Sequence, residues 1–165
     1  MVSARVLVAG VGNVFLGDDG FGVEVARRLQ AAELPEGVRV ADFGIRGVHL
    51  AYELLDGYQT AILVDATPRG GEPGTVYVIE PERPAGASEH TLLDAHGMEP
   101  DAVLSMLEVL GGSDAKVLIV GCEPADVQER IGLSPRVAGA VDEAVALVRE
   151  LVDKETADHE RGEEG

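Results

Sequence analysis

The sequence predicts an α/β fold, a three-layer α/β/α sandwich around a five-stranded, mostly parallel mixed sheet whose fourth strand is antiparallel. Three observations carry this. Short apolar runs bounded by Gly, Pro and Asp alternate with stretches of helical periodicity, in the order β-α-β-α-β-β-α-β-α. The run at residues 60–64 is continuously apolar after its first residue, as expected of a strand covered on both faces. Residues 67–74 hold Pro68, Gly70, Gly71, Pro73 and Gly74, and no helix fits there. A parallel crossover needs about a dozen residues or more, so the strand that follows must run antiparallel to the third.

Taken in order, the first strand is expected at residues 5–9, broken by Gly10 and Gly12. The first helix follows over 21–32, with Phe21, Val25 and Leu29 on one face. A second strand at 38–43 ends in the glycine-punctuated loop Asp42-Phe43-Gly44-Ile45-Arg46-Gly47. A short helix carries Val48, Ala51, Leu54 and Leu55 at helical spacing. Strand three covers 60–64 and strand four 75–79. A long loop begins at Pro81 and lasts to about Gly97; loops of this length are usually functional. Pro100 opens a helix with Val103, Met106, Leu107 and Leu110 inward, stopped by Gly111-Gly112. Strand five covers 116–120. Ser134-Pro135 reads as the N-cap and first residue of the last helix, where Val137, Val141, Val145, Val148 and Val152 share a face.

A chain of 165 residues makes one domain, expected over residues 1–155. Residues 156–165 are acidic, without periodicity, and are expected to be a disordered tail. Thirty acids against 13 Lys plus Arg give a formal charge of -17, which argues against nucleic acid or an anionic membrane and suits a cation or a basic partner. No apolar stretch approaches the ~18 residues of a membrane helix. Cys122 is the only cysteine, so no disulfide forms within the chain, which fits a cytoplasmic setting.

The organising stretch is residues 6–22, VLVAGVGNVFLGDDGFG. A strand, a glycine turn and a helix invite a phosphate-binding reading. The third glycine of a dinucleotide fingerprint would fall on Phe15, and a P-loop lysine would fall on Asp18. Adjacent acids, Asp18 and Asp19, repel phosphate and attract a cation.

Ligands of such a sheet sit beyond the carboxyl ends of its parallel strands. Asp18, Asp19, Asp42, Asp65 and Glu123 all follow or end such strands, and His96 precedes the helix that feeds strand five. Carboxylates and one imidazole suit a borderline divalent ion such as zinc or nickel, or general acid-base work. Singly, an aspartate at a strand end is as often an Asx turn or cap, and Asp42 fits that best. His96 taken alone is an ordinary surface histidine, and His49, His90 and His159 have weaker claims. Cys122 reads as a small apolar packing residue. Convergence on one rim raises Asp19, Asp65 and His96 above the others.

The segments GVGNVFLGDDGFGVEVARRL, DFGIRGVHLAYELL, AILVDA, DAHGMEPDAVL, GCEP and GLSP, in that order over about residues 6–151, resemble the hydrogenase maturation protease family. The resemblance implies an α/β/α sandwich and an endopeptidase that removes the C-terminal extension of the nickel-iron hydrogenase large-subunit precursor once nickel is in place. It implies Asp19, Asp65 and His96 as metal contacts and candidate catalytic residues. Asp42, Gly44 and Gly47 fall on a motif assigned to substrate positioning, with Asp18 and Glu123 held as secondary candidates. The nickel would come with the precursor and act as a recognition signal, zinc or cadmium being able to replace it in vitro. The precursor is the expected partner. Two other readings stay open: a non-catalytic metal-binding chaperone that inspects the precursor, and a small-molecule hydrolase or phosphorylase on a similar sandwich, which the acidic rim disfavours.

Overall fold

The computed structural model describes residues 6–44, 47–54, 57–80 and 115–164. Its sheet has five strands: β1 (Val6–Val11), β2 (Val38–Gly44), β3 (Thr60–Ala66), β4 (Val76–Ile79) and β5 (Lys116–Cys122). They lie in the order β2-β1-β3-β5-β4. β1 pairs parallel with β2 and β3, and β3 parallel with β5. β4 is antiparallel, as the short connection requires, but its hydrogen-bonded neighbour is β5 rather than β3. The helices are α1 (Phe21–Gln30), α2 (Gly47–Leu54) and α3 (Pro135–Glu164). The 81–97 loop, the helix expected after Pro100, and His90 and His96 lie outside the described residues.

Side chains alternate across the strands, and this divides the core in two. Val6, Val8, Ile62, Val64, Leu118 and Val120 face α1 and α3, meeting Phe21, Val25, Leu29, Val137 and Val141. Leu7, Ala9, Leu63, Val117 and Ile119 face the other way, onto Leu50 and Leu54 of α2. The sheet is thus the middle of three layers. The α1 layer sits very close to it. A Cβ at Gly22 would collide with the carbonyl of Val64 and come within 2.6 Å of the Val11 carbonyl, so only glycine lets the start of α1 rest on β1 and β3.

The strands run further than the periodicity suggests. β3 continues to Ala66 and β5 to Cys122, so Asp65 lies inside a strand, paired in register with Gly121. The acid loop is also ordered, with residues Gly17–Gly20 forming a turn of 3-10 helix that carries both aspartates.

The largest departure is at the other end of the chain. α3 runs to Glu164, through the segment expected to be a disordered tail. Its anchor is polar, which is why apolar periodicity misses it. Glu155 is buried at 2% exposure and accepts hydrogen bonds from the Thr60 hydroxyl at 3.1 Å and from Lys116 Nζ at 3.3 Å. One turn further, Nε2 of His159 lies 2.8 Å from the same Thr60 hydroxyl. Among the described residues no helix is long and apolar enough to cross a membrane.

Candidate active site

The parallel strands deliver their carboxyl ends to one rim. β1 leads into the acid turn, β2 carries Asp42 and ends at Gly44, β3 carries Asp65 one residue before its end, and β5 runs directly into Glu123. The structure then divides these acids into two groups.

Asp18 and Glu123 are occupied by the fold. Asp18 is fully buried. Its Oδ2 accepts the N–H groups of Ala125 at 2.8 Å and Asp126 at 2.9 Å and the Ser134 hydroxyl at 2.8 Å, while Oδ1 accepts the Ser134 N–H at 2.7 Å. Burial pushes its pKa up, but these hydrogen bonds together pull it below the usual carboxylate value. The Ser134 side chain, expected as a helix cap, is spent on Asp18; its carbonyl accepts the Ala138 N–H at 2.8 Å and opens α3. Glu123 plays the same part on the next loop. Its Oε1 accepts the N–H groups of Arg69 and Gly71, both at 2.8 Å, and the Tyr77 hydroxyl at 2.9 Å. Burial raises its pKa, and these bonds with the nearby Arg69 charge bring it down on balance. Both secondary candidates are therefore loop clamps.

The Asp19 carbonyl and the Asp65 carboxylate both approach Gly12. Gly12 has φ +130°, and a Cβ there would collide with the Asp19 carbonyl and lie 3.6 Å from Asp65 Oδ1. Bare backbone at residue 12 is what makes room for the Asp19 carbonyl. Asp19 is half-buried, and its Oδ2 accepts the Asn13 N–H at 2.8 Å. That bond uses one carboxylate oxygen. Asp65 is 5% exposed, and its Oδ1 accepts the Ala66 N–H at 2.8 Å. Gly12 and Asn13 are positioning elements that residue chemistry alone did not single out; the G-x-G-N spelling of the loop was the available signal.

Asp42 sits further along the rim, 4.0 Å from Arg27 Nε on α1. Gly44 has φ +54°, and its carbonyl accepts the Gly12 N–H at 2.9 Å, tying the second loop to the first. Asp42, Gly44, Gly12 and Asn13 border a groove of about 260 Å³. Gly47 opens α2, across residues 45–46 that are not described. His49 is exposed on α2, and His159 belongs to the α3 anchor at the opposite end of β3. Cys122 is fully buried, and burial, with the negative charge of Asp18 nearby, pushes its thiol up to about 11, so it packs rather than attacks. Among the described residues no group of three His, Cys, Asp or Glu is placed to hold a metal ion. Of the three residues expected at the site, Asp19 and Asp65 are described and His96 is not.

Comparison with known proteins gives a consistent answer. The family model described as hydrogenase maturation protease matches residues 23–151, a span that begins just after the acid turn and includes Asp42, Asp65, His96 and Glu123. The chain is 33% identical over 150 residues to the hydrogenase expression/formation protein HupD of Rhodobacter capsulatus, covering 89% of this chain and 71% of that one. It is 30% identical over 145 residues to the hydrogenase 2 maturation protease of Escherichia coli, covering 87% and 88%. Its fold superposes on the hydrogenase maturating endopeptidase HybD from E. coli with a TM-score of 0.74, at 28% identity, covering 92% of this chain and 93% of the other.

Proposed function

The chain belongs to the hydrogenase maturation protease family, and on that premise we propose that it cuts the C-terminal extension from a nickel-iron hydrogenase large-subunit precursor after nickel insertion. Membership makes it a peptidase. The observation that carries the finer reading is that the acid turn and the Asp65 carboxylate both lie against Gly12, on the rim where an α/β sheet binds its ligands.

Nickel enters here as part of the substrate. Two carboxylates on a chain of net charge -17 are a fitting donor set for a divalent cation. With His96 they would make three protein donors, fewer than a structural site of four, and so leave positions for ligands of the precursor itself. Asp19 and Asp65 would hold the metal-bearing end of the precursor and orient the adjoining peptide. An unloaded precursor lacks this bridge and stays uncut. Metal thereby serves as the signal that insertion is finished. Zinc or cadmium would occupy the same donors in vitro. Asp42, Gly44 and Gly47 border the path of the peptide.

The test is cleavage of the cognate nickel-loaded precursor by wild type, Asp19→Asn, Asp65→Asn and His96→Ala. Trimming by wild type, lost in all three folded variants, is the expected result. Normal trimming by the variants removes the three-residue assignment. Binding of the precursor without any trimming replaces the protease reading with that of a metal-inspecting chaperone.

A further inference from the structure

Among the described residues, two buried side-chain oxygens lack a hydrogen-bond partner, the hydroxyls of Thr67 and Thr156. Such groups are costly, because a hydroxyl that leaves water unpaired forfeits its hydrogen bonds. Thr156 follows Glu155 on α3, at the anchor by the opposite end of β3. Thr67 is on the rim itself, one residue past the end of β3 and two past Asp65. Its backbone is fixed, since the Thr67 N–H donates to the Cys122 carbonyl at 2.8 Å and closes the β3–β5 ladder. Its side chain is placed by the glycine on the neighbouring strand. Asp65 pairs in register with Gly121, and a Cβ on Gly121 would collide with the Thr67 hydroxyl and lie 2.7 Å from Thr67 Cβ. Paired residues of neighbouring strands send their side chains to the same face. Thr67 therefore leans across the bare backbone of Gly121 on the face that carries the Asp65 carboxylate. The fold does not need the hydroxyl to hold the loop that follows, because Glu123 does so through the N–H groups of Arg69 and Gly71.

We propose that the Thr67 hydroxyl contacts the precursor, donating a hydrogen bond to a backbone carbonyl of the peptide that Asp65 helps to hold; the proposal rests on the protease reading above. A threonine hydroxyl offers one O–H donor and is re-aimed by χ1 alone. One staggered step of χ1 carries the oxygen away from Gly121 while the backbone stays bonded to Cys122. The hydroxyl gives up no partner among the described residues when it turns, so the contact with the peptide has nothing to displace. It grips main chain, and so fixes how the peptide lies against Asp65 whatever side chains the precursor carries.

The experiment compares wild type, Thr67→Val, Thr67→Ser and Thr156→Val in cleavage of the cognate nickel-loaded precursor, each beside its urea unfolding curve. Thr67→Val keeps the shape and removes the hydroxyl. It is expected to unfold at the same or a higher urea concentration, because an unpaired buried oxygen is gone, and yet to lose about tenfold or more in kcat/KM, because a peptide carbonyl is left unpaired. Thr67→Ser keeps the hydroxyl and is expected to retain most of the activity. Thr156→Val makes the same change at the other orphaned hydroxyl and is expected to cut like wild type. The inference is overturned if Thr67→Val cuts like wild type, or if Thr67→Ser or Thr156→Val loses as much as Thr67→Val. A Thr67→Val that unfolds at a lower urea concentration also overturns it, since the hydroxyl would then serve the fold. Failure of wild type to cut the native precursor removes the protease reading, and this inference with it.

Discussion

Asp18 accepts both the backbone N–H and the hydroxyl of Ser134, at 2.7 and 2.8 Å, and so fastens the turn after β1 to the residue that opens α3. Its neighbour Asp19 accepts the Asn13 N–H with its carboxylate, within its own loop. Two adjacent acids thus have separate tasks. Asp18→Ala would leave three N–H donors and a hydroxyl without their acceptor and is expected to cost about 3 kcal/mol of stability. Asp19→Asn is expected to change stability by less than about 0.5 kcal/mol, yet to abolish cleavage. Urea unfolding of both, beside the precursor assay, checks the contrast. Equal stability losses would contradict it.

Gly12 is the second lever. Gly12→Ala puts a methyl against the Asp19 carbonyl and near Asp65 at a φ of +130°. Cleavage should fall on the order of 100-fold, since displacing reacting groups by about 1 Å has that effect. Gly57→Ala is the control. Gly57 also has positive φ, at +88°, but among the described residues nothing lies within 4 Å of the added methyl. It is expected to cost about 1–2 kcal/mol in thermal or urea unfolding and leave kcat unchanged. A Gly12→Ala enzyme as active as Gly57→Ala would remove the positioning role.

Acid should unfold the protein through its two clamps. The folded pKa values of Asp18 and Glu123 are both lowered. Their stabilisation is therefore fully present above the unfolded value of about 4, and is lost as pH falls from there through the lowered folded values. Stability measured from pH 7 to pH 2.5 should hold level above about 5 and then drop. Asp18→Asn combined with Glu123→Gln should lower the plateau and flatten the drop. A double variant with the wild-type acid slope would show that other groups carry it.

The anchor of α3 gives a fourth expectation. Thr60→Val removes the hydroxyl shared by Glu155 and His159, and should cost about 1–2 kcal/mol. It should also speed amide exchange in the last turns of α3, where Glu155 and His159 hold the helix to β3. The rim at the other end of β3 should be untouched, so cleavage by Thr60→Val should match wild type. Unaltered exchange in those turns would mean that the helix end holds itself.

Much of the architecture was legible because it depends on local patterns. Short apolar runs bounded by Gly, Pro and Asp marked the strands, and the glycine- and proline-rich stretch at 67–74 fixed the direction of β4. That Asp19 and Asp65 lie on one rim followed from strand direction alone. The division of labour between Asp18 and Asp19 did not. Asp18 is identified by partners 107 to 116 residues away, and nothing in GDDG distinguishes its first acid from its second. Glu123 was obscured in the same way, because its three partners lie on a loop and a strand 46 to 54 residues earlier. The reach of α3 was missed because hydrogen bonds, not an apolar stripe, fasten its last described side chains.

The Asp18–Ser134 link also orders events during synthesis. β1, α1, β2 and β3 are all made before the residues that hold Asp18. The acid turn cannot take its final shape then, because the residues that hold Asp18 are still to be made. The first turn after β1 is therefore held from the far end of the chain, and its acid has no lasting partners until residues 125–134 exist.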